Sequence, residues 1–352
     1  MNIMQSYTYQ SDLELAAGII DISSLVGKRF LITGASGLIG SALIDLLIWL
    51  NLHHDTKIEI YAASRNPKQL EKRFDEGQKT GVIPTAYDAL QTVPFDFSVD
   101  YVVHGAGNSS PDLYVSQPVD TIMSNVMGIY GLLQYFSNCD IKKIIYISSS
   151  EVYGKLDPHK FPCKETDIGW VDFMDLRSSY PVGKRAAESL CISYAHQHGS
   201  NISVVRPGHI YGPTSHESDN RVASLFARQA ACGEDIVLKS AGNQIRSYCY
   251  CLDCATAILT VLMYGQCMEA YNISNRNSVM PIKELATLYS QAGCVKLRLE
   301  VASTREKEAF NPMDRSDLDG SKLESLGWRG LFDAVTGTQH TIKILQECMA
   351  IS

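Results

Sequence analysis

The chain has 352 residues, 45% of them hydrophobic and 20% charged, and 31 basic against 38 acidic side chains leave a formal net charge of −7. That is one large or two modest domains with ample apolar material for a core. The composition argues against disorder, collagen, coiled coil and small disulfide scaffolds, and the acid excess gives no overall basic footprint for nucleic acid.

Met1–Gly27 lacks a basic start followed by an apolar core, so it reads as an N-terminal extension with a helical pattern at Asp12–Ala17, not as a signal peptide. Lys28–Thr33 (KRFLIT) reads as a buried strand, followed by a Gly-rich turn and an apolar helix over Leu38–Leu50. Asp45 interrupts that helix, which is too short to span a bilayer, and no membrane partner is expected. Further strands are predicted at Lys57–Ala62, Val99–His104, Lys143–Ser148 and Ile202–Arg206, with helices near Val119–Ser137 and Pro181–His198. Strand, helix, strand repeated this way predicts an α/β fold with a doubly wound parallel sheet covered on both faces. From Gly212 the rhythm loosens into helical patterns near Arg221–Cys232, Cys254–Tyr264 and Pro281–Ala292, read as a smaller, mixed second domain. The ten cysteines show no extracellular-module spacing, so free thiols in a reducing cytoplasm are expected. Cys251-Leu-Asp-Cys254 lacks a second pair at zinc spacing, so no metal is expected, and Asp253 reads as a helix N-cap.

Two patterns carry chemistry. Thr33–Gly40 (TGASGLIG) spaces Gly34, Gly37 and Gly40 between the first strand and a helix. Glycines there allow a tight turn, let a pyrophosphate approach the backbone, and let the helix pack close to the sheet, with the helix N-terminus meeting the phosphate charge. After the second strand the chain reads Ala62, Ala63, Ser64, Arg65, with no acid to hold ribose hydroxyls. Arg65 is a candidate for a 2′-phosphate, which leans toward NADP, and Asp88 is a candidate to accept from the adenine amino group. The second pattern is Ser149 in SSSEVYG (Ser148–Gly154) followed by Tyr180 and Lys184 in YPVGK. Residues at i and i+4 share a helix face. A lysine ammonium and a positive nicotinamide are expected to lower the tyrosine pKa from about 10 toward neutrality, making Tyr180 a base for a sugar hydroxyl that Ser149 also contacts.

In this order, TGASGLIG, SSSEVYG and YPVGK resemble the extended short-chain dehydrogenase/reductases that modify nucleotide-sugars, the NAD-dependent epimerase/dehydratase family, from Lys28 onward. The resemblance implies a Rossmann domain over 28–211 and a mainly substrate-binding domain over 212–352, with segments near 246–262 returning to the first. It implies cofactor contacts from Gly34, Ser36, Gly37, Leu38, Ile39, Gly40, Ser64, Arg65, Asp88, Ala89, Gly105, Ala106, Tyr180 and Lys184. Catalytic roles fall on Ser149, Glu151, Tyr180 and Lys184, and substrate contacts on Ser110, Asn125, Ser150, His209, Arg221 and Arg246. Arg246 matches an arginine that neutralises the diphosphate, a natural bidentate role.

Within the family the likeness is strongest to UDP-glucuronate decarboxylases. It rests on SSPDLY (Ser109–Tyr114) with Pro118, Thr121 and Asn125, and on the spacing of Glu165, Gly169, Val171, Arg177 and Tyr180. It rests also on GKRAAESL (Gly183–Leu190), GPTSHESDNRV (Gly212–Val222) and GNQIRSYCY (Gly242–Tyr250). Departures are Ser64–Arg65 in place of an acid, His209 in place of an Asn, and HGAGN at His104–Asn108. The expected reaction oxidises sugar carbon 4, which labilises a carboxylate on carbon 5. Glu151 disfavours simple 4-epimerisation, and Ser150, where dehydratases carry Asp, leans toward decarboxylation. The alternatives are a 4,6-dehydratase, an epimerase, or a non-catalytic NAD(P)-binding sensor or scaffold. The resemblance also implies a homodimer through the Val119–Ser137 and Pro181–His198 helices, although Met123, Val126, Ile129, Leu132 and Leu133 fit burial within one chain equally well.

Overall fold

The computed structural model describes residues 3–74, 80–91, 95–303, 310–311 and 313–351. Helix α1 (Tyr7–Ala17) precedes β1 (Arg29–Thr33), α2 (Leu38–His54), β2 (Glu59–Ser64), α3 (Pro67–Phe74), β3 (Val82–Ala86) and β4 (Tyr101–His104). The chain continues through α4 (Pro111–Ser116), α5 (Pro118–Tyr135), β5 (Lys143–Ile147), α6 (Ser179–His198), β6 (Ile202–Pro207) and β7 (His209–Tyr211). Then come α7 (Val222–Ala231), β8 (Ile236–Leu238), β9 (Ile245–Tyr250), α8 (Cys251–Tyr264), β10 (Ala270–Ile273), β11 (Val279–Pro281) and α9 (Ile282–Ala292). Strands β12 (Leu297–Leu299) and β13 (Arg315–Ser316) and a long helix over Ala334–Ile351 complete it.

Seven strands form one sheet in the order β10-β6-β5-β4-β1-β2-β3, and every pairing is parallel. Both faces are covered, which is why β4 and β5 are buried at every position. The chain winds outward from β1 in both directions. The crevice between the carboxyl ends of β1 and β4 is therefore the topological switch point, where a doubly wound sheet takes its ligand. Thr33 of β1 pairs in register with both Ala63 and His104. Its hydroxyl meets His104 Nδ1 at 2.7 Å and accepts from the Gly105 and Ala106 amides at 3.2 and 3.3 Å, which fixes the floor of that crevice.

Beyond Gly212 the chain serves two bodies. Strand β9 lies in a second sheet, parallel to β7 and β13 and antiparallel to β11. Helix α8 packs on α2, and the strand that rejoins the main sheet is β10, at 270–273. Helix α8, over 251–264, also lies against β5 and β6 of the main sheet. Tyr250 stands at the N-cap of α8; Asp253 sits inside the first turn, where its carboxylate accepts the Leu331 and Phe332 amides. Burial pushes that carboxyl up to about 7.

Residues 3–27 are built into the core. Ser6 caps α1 by accepting from the Tyr9 amide at 3.1 Å. Tyr9, Leu13 and Ala16, spaced at helical intervals, bury one face of α1 against α2 and the helix Ala334–Ile351. Two fully buried acids are satisfied there. Asp45 accepts from Tyr9 Oη at 3.0 Å and Arg73 at 2.7 Å, and Asp12 accepts from Tyr250 Oη at 2.9 Å and meets His340 at 2.7 Å. This explains the acid that interrupts the apolar run of α2: it is the anchor for a tyrosine of α1.

Candidate active site

At the β1–α2 turn, Gly34 adopts φ +72°, and a Cβ there would stand 2.7 Å from the Gly105 carbonyl oxygen. A Cβ on Gly40 would stand 2.4 Å from the Gly34 carbonyl oxygen. These two positions need glycine for the turn and for close packing of helix on sheet. Gly37 is the N-cap of α2, whose first turn carries no acid, so amide donors of Leu38 and Ile39 and the positive helix end face the crevice. Around the rim, Ser64 Oγ accepts the Asn66 amide, Asp88 accepts the Leu90 amide, and Ala89 is buried. Arg65 is exposed and Ser36 half-buried. The turn is a backbone cradle that fits a dinucleotide pyrophosphate.

Strand β5 and helix α6 bring the second pattern together. Ser149 caps the short turn Ser150–Tyr153, accepting the Glu151 amide at 3.2 Å, and its hydroxyl favours the ionised form of Tyr180. Lys184 donates to the Ile147 carbonyl at 2.7 Å, with its ammonium 6.0 Å from the Tyr180 ring centre. The expected lowering of the phenol is absent from the protein itself. Burial pushes Tyr180 above its ordinary value, opposed by Ser149, Arg221 and Tyr114. Burial also pushes Lys184 down to about 8. With both groups withdrawn from water, desolvation outweighs their mutual attraction.

The other wall is cationic. Glu151 is not a lone carboxylate: Arg177 forks onto it at 2.8 and 3.0 Å. Arg221 is held by Asp219 at 2.6 Å. Among the described residues Arg246 donates to the carbonyls of Ile245, Met313 and Asp314, and burial lowers this guanidinium from its usual value. His209 is pushed down to about 3 by burial and by Arg246, Arg221 and Arg177, so it is neutral at physiological pH. Four cationic or imidazole groups therefore converge on one space. Ser110 donates to Asn220 at 3.0 Å at the exposed edge, Ser150 is buried, and Asn125 lies fully buried, donating to the Thr121 carbonyl.

Sequence reasoning placed His209 here but missed Gln244, Ser316 and Asn311. Gln244 Oε1, Ser316 Oγ, Asn311 Nδ2 and His209 Nδ1 are buried without a hydrogen-bond partner among the described residues. Gln244 and Arg246 flank Ile245, and Ser316 pairs with Arg246 in register. Buried polar atoms gathered without partners fit a polar ligand. Tyr114 was also missed; its ring stacks on Tyr180 with centres 4.3 Å apart and planes 8° off parallel. The SSPDLY stretch was the available signal. No disulfide joins any of the ten cysteines, and Cys251 and Cys254 are buried.

Comparison with known proteins agrees with this geometry. The family model described as NAD dependent epimerase/dehydratase family matches residues 30–274. UDP-glucuronic acid decarboxylase 6 of Arabidopsis thaliana is 33% identical over 303 residues, covering 85% of this chain and 83% of the relative. UDP-glucuronic acid decarboxylase 1 of Xenopus tropicalis is 30% identical over 315 residues, covering 90% and 71%. A dTDP-glucose 4,6-dehydratase from Streptomyces venezuelae, solved with NAD bound, superposes with a TM-score of 0.76 at 22% identity, over 92% of this chain and 98% of that one. A UDP-glucuronic acid 4-epimerase from Bacillus cereus, solved with UDP-glucuronic acid and NAD, gives 0.74 at 18% identity, over 91% and 99%. With its glycine turn at the sheet's switch point, the chain is a nucleotide-sugar modifying enzyme and belongs to the NAD dependent epimerase/dehydratase family.

Proposed function

We propose that this enzyme decarboxylates UDP-glucuronate to a UDP-pentose through a transient 4-ketone. The observation that carries the reading is the 33% identity to a UDP-glucuronic acid decarboxylase across 303 residues. Residues 28–211 hold the cofactor in this reading, residues 212–352 mainly hold the sugar nucleotide, and 1–27 back the sheet. The nicotinamide, when bound, takes up the carbon 4 hydride and returns it. Tyr180 removes the carbon 4 hydroxyl proton, Ser149 fixes the same oxygen, and the Lys184 ammonium opposes the burial that favours the neutral phenol. The ketone then lies β to the carboxylate, which leaves as carbon dioxide. Arg246 and Arg221 take the diphosphate, Arg246 through a guanidinium whose contacts among the described residues are carbonyls and Arg221 while held by Asp219. Ser150, and the pairing of Glu151 with Arg177, favour decarboxylation over dehydration, because a proton acceptor at carbon 5 needs a free carboxylate.

The cofactor is NAD(P). The absence of an acid after β2 and the exposed Arg65 lean toward NADP, while the family description leans toward NAD. Exposed Val119, Met123, Met127 and Tyr130 run along one face of α5, while Ile129, Leu132 and Leu133 fill the chain's own core. The outer face supports a homodimer through α5 and α6. No helix among the described residues is long and apolar enough to cross a membrane. Ten cysteines, none of them in a disulfide, support a cytoplasmic setting.

A mass-spectrometric screen of UDP-, dTDP-, GDP- and CDP-sugars with NAD and NADP tests the reading. Carbon dioxide and a UDP-pentose from UDP-glucuronate are expected, with Tyr180→Phe slower by about 10²- to 10⁴-fold. No turnover of UDP-glucuronate with either cofactor overturns the assignment. A 4-keto-6-deoxy product from a nucleotide-hexose transfers it to the dehydratases.

A further inference from the structure

One column of side chains links two groups that the mechanism treats separately. Arg177 lies in the short turn Leu176–Ser178, immediately before the helix that carries Tyr180 and Lys184. Asp175 fixes the turn by accepting the Arg177 amide at 3.0 Å. The guanidinium forks onto Glu151, and the two side chains are only 6% and 14% exposed. The same guanidinium sits 5.6 Å from the centre of the Tyr114 ring, and that ring stacks on Tyr180. Ser179 donates to the Tyr114 carbonyl at 2.9 Å, which ties the column to the start of α6. Carboxylate, guanidinium, phenol and phenol therefore run in unbroken contact from Glu151 to Tyr180.

We propose that Arg177 is a positioning residue that neutralises and orients Glu151 and, with Tyr114 between them, makes Glu151 and Tyr180 respond as one unit. The proposal rests on the reading above that Tyr180 is the proton acceptor. The physical argument is one of charge. A phenol that must become an anion in a buried site is opposed by any bare carboxylate near it. Glu151 opposes Tyr180 in this way, alongside burial, while Arg221, Ser149 and Tyr114 favour the phenolate. A guanidinium forked on the carboxylate cancels most of its monopole and leaves a small dipole. It also holds both oxygens in one plane, which a lysine's point charge does not do. A neutral pair has a second benefit for a substrate bearing its own carboxylate: the wall no longer repels it. Burial works against the Arg177 charge, yet Glu151 more than offsets it and holds the guanidinium above its usual value.

The test uses full-length enzyme carrying fluorotyrosine at position 180, whose ionisation is followed by fluorine NMR without substrate. In Arg177→Met the position 180 phenol ionises at higher pH than in the parent, and adding Glu151→Gln brings it back down. Arg177→Lys, which keeps the charge and loses the fork, lies between and guards against a folding defect in the methionine variant. In turnover, Arg177→Met and Glu151→Gln together lose less than the product of the single losses, by about tenfold or more. An unmoved phenol titration in Arg177→Met, or single effects that simply multiply, overturns the coupling. Because the titration needs no turnover, it stands or falls separately from the choice of substrate, which the wild-type screen decides.

Discussion

One wall of the cleft, proposed for the cofactor, offers main-chain atoms; the other, proposed for the substrate, offers guanidinium and imidazole. The β1–α2 turn offers amides and a helix end, and its side chains are mostly hydrogen atoms. The opposite wall draws Arg177, Arg221, Arg246 and His209 from separate segments. A backbone site is exacting about volume, because a single Cβ strikes a carbonyl that cannot turn away. A charged site is exacting about partners, because each buried cation must be offset or left available for an anion. Arg177 and Arg221 are offset by carboxylates, whereas the recorded contacts of Arg246 are to carbonyls. In the proposed function Arg177 shapes the wall with Glu151, while Arg246 and the Asp219-held Arg221 face the ligand.

Three measurements would break or sharpen this contrast. The largest effect is expected from Gly40→Ala, which drives a methyl onto the Gly34 carbonyl. It should destabilise the protein by about 1–3 kcal/mol and weaken NAD(P) binding severely, read by denaturant unfolding and cofactor titration. Unchanged cofactor affinity would mean that the turn is not the cradle. Next comes Arg246→Met, which should weaken nucleotide-sugar binding by about 10- to 100-fold with little change in cofactor affinity, the size of one lost charge-assisted hydrogen bond. Equal losses for both ligands would erase the distinction between the walls. The smallest effect belongs to a pair behind the sheet, distant from both. The hydrogen bond to Asp12 holds His340 above the ordinary imidazole value. Its contribution to stability is then complete below about pH 6.5 and is lost as pH rises through the folded-state value. The thermal midpoint should fall modestly between pH 6 and 8, and His340→Phe should flatten that slope without altering the rate of turnover.

What was legible in the sequence follows the same contrast. The glycine turn and the Tyr180–Lys184 helix are local patterns, in which spacing alone implies geometry, and the structure keeps both on the expected elements. The parallel sheet was legible because buried strands read as short apolar runs between helices. Contacts between distant segments were not. Glu151 and Arg177 are 26 positions apart, and no local pattern says that they fork. Met123 reads as a core residue from its periodicity but is exposed on α5, because an amphipathic period does not say which of two apolar faces meets the chain's own sheet. Asp253 reads as a cap from its place after a strand, yet its carboxylate is claimed by amides near residue 331. The burial that raises Tyr180 was not legible for another reason: charge can be counted in a sequence, whereas desolvation depends on packing.

Ser6 and Thr8 hydrogen-bond Glu347, and Asp12 meets His340. These partners are separated by 341, 339 and 328 positions. A ribosome makes the α1 segment long before the helix Ala334–Ile351, so the part of α1 that meets this helix rather than α2 waits uncovered while the residues between them are made. Closing such a long loop comes late and adds to the contact order, which slows folding. The clasp behind the sheet is thus a checkpoint in time: the back layer becomes complete only after the last helix has emerged.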